Sequence, residues 1–92
     1  MEQILPSIPH SDITDLDVAL GAWLLPRLQI YKAESCYCPS DLSSETWDMV
    51  LDKMIRAAYL LTNPDAVPLE ERHGDITTGM AFLAAYVTHL WY

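Results

Sequence analysis

Basic side chains are scarce in this chain: five Lys and Arg stand against thirteen Asp and Glu, a formal charge of −8. That deficit opposes sequence-independent binding to a phosphate backbone, which relies on basic groups displacing counterions, so direct contact with nucleic acid is not expected. Long hydrophobic runs are missing too, since no stretch reaches the ~18 apolar residues of a membrane span. The first residues, Met1 to Pro6, lack the basic start and apolar stretch of a secretion signal. These absences lead to the expectation of an intracellular protein with no membrane segment. Cysteine is limited to Cys36 and Cys38, too close together for an unstrained mutual disulfide, as expected of a reducing compartment. With no second cysteine pair and the wrong spacing for zinc, neither metal nor cofactor is expected. A Gly-rich phosphate loop and a nucleophile elbow are also absent. Nothing in the sequence brings His73 or His89 to a thiol, so no activated cysteine is indicated. No catalytic residue is assigned, and the chain is expected to bind rather than to catalyse.

What the sequence has in quantity is apolar surface. Hydrophobic residues make up 51% of 92 positions, enough to offset the entropy of ordering a chain of this size. The length limits it to one domain, residues 1–92, with a small core. A short chain so rich in apolar side chains leaves part of them uncovered as a monomer, and a homo-oligomer is the expected remedy.

Residues 1–12, with Pro6 and Pro9, read as an extended arm, and Asp12 or Thr14 caps the first helix. From Asp15 to about Glu34, Leu16, Ala19, Leu20, Trp23, Leu24, Leu28 and Tyr31 recur at helical spacing. Pro26 lies inside this first helix and is expected to kink it. Residues 35–42 form a connection, and Ser43 or Ser44 caps a second helix. Glu45 and Asp48 lie near its start, where negative charge complements the helix dipole. Trp47, Val50, Leu51, Met54, Ala58 and Leu61 then give an amphipathic pattern as far as Thr62. Asn63, Pro64 and Pro68 break it, so residues 63–74 are expected as a loop holding at most a short helical turn. Asp75 opens the third helix, with Ile76, Met80, Leu83, Val87 and Leu90 on its apolar face. Ala81, Ala84 and Ala85 are expected to let another backbone approach. The fold class is all-α: a three-helix bundle or open helical array with its first helix kinked at Pro26.

Asp17 to Leu28, Trp47 to Ala57, and Gly79 to Tyr86 with Leu90-Trp91 are three ordered blocks that together resemble a family of small proteins encoded by tailed bacteriophages. The first runs from Asp17 to Leu28 and ends in Leu25-Pro26-Arg27-Leu28, similar to the family's Leu-Pro-x-Leu helix. The second, Trp47 to Ala57, is similar to its Trp-x-x-Val-Leu-Asp-x-Met-Ile-x-Ala signature and is the most specific. The third is Gly79 to Tyr86 with Leu90-Trp91, similar to a closing Gly-x-x-Leu-Phe-x-x-Tyr followed by Leu-Trp. The chain departs from the pattern at Leu28-Gln29-Ile30-Tyr31, where the family carries lysines, and at Ala58-Tyr59, where it carries an aromatic directly. The resemblance implies a phage origin and action in the host bacterial cytoplasm. It brings no activity with it.

Two sets of residues are candidates for binding. Asp41, Glu45, Asp48 and Asp52 fall at offsets that place them as one carboxylate stripe along the second helix, rising about 6 Å per turn like a row of phosphates. Such a stripe suits the basic surface of a host immune protein, because opposite potentials speed encounter. Its plain reading is a solvated helix face supported by an Asp52–Arg56 pair. The second set is Arg27, Trp47, Lys53, Arg56, Tyr59, Tyr86 and Trp91, with Lys32: cations to clamp phosphate and aromatics to stack on a base. The ordinary reading of those aromatics is core packing. The leading expectation is a non-enzymatic phage counter-defence protein that binds and inhibits a host immune protein through the acidic face. The alternatives are an oligomeric sponge for a nucleotide second messenger and a virion assembly factor.

Overall fold

The structure, a computed structural model, describes residues 6–90. Trp91 and residues 1–5 of the expected arm lie outside the described residues. The elements are α1 (His10–Thr14), α2 (Leu16–Glu34), α3 (Ser44–Thr62), α4 (Leu69–Tyr86) and a closing 3₁₀ turn (Val87–His89). No strand occurs among the described residues.

α3 is the centre of the fold. Its start is fixed by Ser43, whose Oγ accepts the Thr46 backbone N–H at 3.1 Å, satisfying one of the donors that a helix leaves free in its first turn. Trp47, Val50, Leu51, Met54, Ala57, Ala58, Leu60 and Leu61 are all buried. α2 and α4 each pack along α3, yet their backbones do not approach one another. The result is an open helical array, flat rather than round, with extents of 46 × 38 × 23 Å. Its radius of gyration, 15.1 Å, exceeds the roughly 12 Å of a compact domain of this length.

Both helix crossings on α3 are made at glycine. A Cβ at Gly21 of α2 would lie 2.7 Å from the Ala58 carbonyl oxygen and 2.7 Å from the Leu61 Cβ. One at Gly79 of α4 would run into the Lys53 carbonyl and the Ala57 Cβ. The close approach expected at Ala81, Ala84 and Ala85 is therefore made at Gly79, and those three alanines are exposed. A missing Cβ, not a short one, is what this backbone separation requires.

α2 runs unbroken through Pro26. Proline cannot donate to the carbonyl one turn back, and next to this gap the Arg27 guanidinium donates to the Trp23 carbonyl at 2.8 Å. Two boundaries differ from expectation. His10–Thr14 is helical and so replaces the last three residues of the expected 1–12 arm, with the Asp12 N–H bonded to the Pro9 carbonyl at 3.0 Å. The expected 63–74 loop is shorter, because α4 begins at Leu69 and not at Asp75. Pro68 stands just ahead of the first turn, where a missing N–H costs no helical bond. Its carbonyl accepts the Arg72 N–H at 2.9 Å, and Glu70 and Glu71 in the first turn complement the dipole.

Candidate functional site

Glu45, Asp48 and Asp52 project from α3 and are exposed, while Asp41 is exposed in the preceding turn, closed by the Leu42 N–H on the Pro39 carbonyl at 3.1 Å. The stripe is thus three helical carboxylates with a fourth just beyond their end. Asp52 is paired: it accepts the Lys32 ammonium of α2 at 2.6 Å. That hydrogen bond, with the charges of Asp52 and then Asp48, holds the Lys32 pKa above its usual 10.5 against an opposing effect of burial. Asp41, Glu45 and Asp48 make no ion pair among the described residues. The Asp52–Arg56 pair expected from sequence is replaced by tertiary partners on both sides, because Lys32 reaches Asp52 from α2 while Arg56 turns to α4.

The second candidate set is spread over the molecule. Trp47 is only 3% exposed and meets Tyr86 edge-on, with ring centroids 5.6 Å apart, so this pair joins α3 to α4 in the core. Arg56 bridges the same two helices from outside, reaching Asp75 at 3.3 Å and Glu71 at 3.8 Å. The Arg27 guanidinium lies over the Trp23 ring, 4.2 Å from its centroid. Lys53 and Tyr59 are exposed on α3. Tyr59 borders a shallow hollow of about 360 Å³ with Thr62, Asn63 and the turn leading to α4. Among the described members Trp47 and Tyr86 are in ring contact; Trp91 lies outside the described residues.

Two features escaped the sequence reading. His89 ties the C-terminal turn to α2 and to the connection before α3: its Nδ1 is 3.1 Å from the Tyr37 hydroxyl, its carbonyl accepts from the Tyr31 hydroxyl at 3.4 Å, and its ring stands edge-on to Tyr86. The contacts to Tyr31 and Tyr37 join residues more than fifty positions apart, and no local pattern signals them. The other feature is an apolar groove of about 380 Å³ between α2 and the end of α4, lined by Leu20, Trp23 and Arg27 on one side and Leu83, Val87 and Leu90 on the other. Its signal was present: apolar residues lie on more than one side of α2, as in a helix that is covered on more than one side.

Among the described residues no group of three or more His, Cys, Asp or Glu is placed to hold a metal ion. The Cys38 thiol donates to the Leu42 carbonyl at 3.4 Å. No described helix is long and apolar enough to cross a membrane. Comparison with family models, with curated proteins and with solved structures finds no match to this chain.

Proposed function

We propose that this chain is a non-enzymatic protein-binding module whose acidic α3 face docks on a partner with a basic surface. The observation that carries this reading is the pair Glu45 and Asp48: both are exposed, adjacent on one helix face, and without an ion-pair partner among the described residues. They stand on the helix whose opposite side forms the core, where Met54, Ala57, Ala58 and Leu60 are 0% exposed. A rigid element of that kind holds a charge array in fixed geometry. With a formal charge of −8 on the chain, the face attracts a basic partner over a distance of about a Debye length, ~8 Å at physiological salt. The resemblance to phage proteins supplies the context: a counter-defence protein in the host bacterial cytoplasm, occupying the basic surface of a host immune protein. The sponge alternative, with Arg56 or Lys53 as its phosphate contact, draws less support, because Arg56 already holds Glu71 and Asp75 and Lys53 is exposed, with no aromatic of the set in ring contact with it among the described residues.

The test is made in bacteria whose defence system blocks a phage. Expression of the chain is expected to restore plaques, and Glu45→Lys combined with Asp48→Lys to remove that restoration while helicity and melting temperature are kept. Full restoration by the folded double variant contradicts the reading.

A further inference from the structure

Among the described residues eleven large apolar side chains are exposed, against ten apolar side chains in the core, two of them alanines. Of the five on α2, all but Val18 are ordered along one face. Leu16, Leu20, Trp23 and Ile30 are 65%, 46%, 56% and 56% exposed and, with Arg27, recur at alternating steps of four and three. That is the spacing of a helix-packing seam. It is distinct from the buried seam of Gly21, Leu24 and Leu28 that faces α3. The exposed seam leads into the groove, whose far wall holds Val87, 57% exposed.

Charge distribution bears on what this face can accept. Of eighteen charged residues, thirteen acidic and five basic, none falls in 18–26 or 76–90, the stretches that form most of the groove walls. Arg27 is the one charged side chain lining the groove. A basic partner has nothing to recognise there, whereas two copies of a chain that is −8 overall can meet there without setting carboxylates against each other.

We propose that the α2 seam and the adjoining groove form the contact between two copies of this chain, with α2 antiparallel to its counterpart about a two-fold axis near Trp23. This arrangement sets Leu16 against the partner's Ile30, opposes the two helix dipoles favourably, and lets each seam enter the other copy's groove, as an isologous interface requires. The inference does not depend on the acidic face, which lines no part of the groove.

Sedimentation velocity of the full chain across the micromolar range is expected to give twice the 10.4 kDa chain mass. Trp23→Glu is expected to return the single-chain mass with helicity intact, because the side chain is 56% exposed. Val87→Glu, on the other wall, is expected to do the same and decides the matter if the first variant fails to fold. Met49→Glu, on the exposed side of α3, is expected to keep the double mass. A wild type that remains single across the range, or folded groove variants that keep the double mass, overturns the proposal.

Discussion

An alanine methyl at Gly79 would meet the Lys53 carbonyl and the Ala57 Cβ, whereas one at Gly74, in the same helix, would meet nothing within 4 Å. Intrinsic propensity favours alanine over glycine in a helix interior by about 1 kcal/mol, and an added methyl in a closed contact costs about 1–3 kcal/mol. Gly74→Ala is therefore expected to raise stability by up to ~1 kcal/mol, and Gly79→Ala to lower it, in paired thermal melts. Equal shifts for the two would contradict the crossing geometry. Lys32 supplies a second test. Its pKa is raised above 10.5 in the folded chain by Asp52 and Asp48, so its contribution is fully present below that pH and is lost as pH rises through the higher folded value. Lys32 and Asp52 are 34% and 58% exposed, which keeps the contribution under about 1 kcal/mol. Lys32→Gln is expected to cost no more than that near neutral pH, and denaturant titrations of the variant and the wild type are expected to converge at strongly alkaline pH.

Among the elements, α3 was legible in full because its apolar period, its acidic first turn and the Ser43 cap agree. The cap carries a prediction: Ser43→Ala is expected to lower stability by about 1 kcal/mol, read in a urea melt, while Ser44→Ala, one residue into the helix, leaves it nearly unchanged. The start of α4 was not legible, because Pro68 and Gly74 read locally as breakers; the Pro68 carbonyl instead begins the ladder, and helix formers between them continue it. The acidic positions could be placed from the helical period, since exposed residues on a helix need no tertiary partner. The fate of the basic and aromatic set could not. Whether Arg56 meets Asp52 or Asp75, and whether Trp47 faces solvent or Tyr86, depends on how helices nineteen to thirty-nine residues apart come together.

At the scale of the molecule, one flat array presents two chemically different faces. On the proposed reading the carboxylates of α3 attract a basic partner by charge, so that this association is expected to weaken as salt rises; a dimer held by apolar contact at the α2 seam and groove joins two chains of charge −8 and is expected not to weaken as salt rises. In the proposed dimer, pairing through α2 is expected to leave both acidic faces free for a partner. Hydroxyl-radical footprinting of the wild-type chain at low and high protein concentration tests this division most directly, because it follows both faces at once: Trp23 marks the groove and Met49, 44% exposed beside Asp48, marks the acidic side. The expected result is that oxidation of Trp23 falls as concentration rises while that of Met49 is unchanged. Protection of Met49 with Trp23 still reactive would contradict the account.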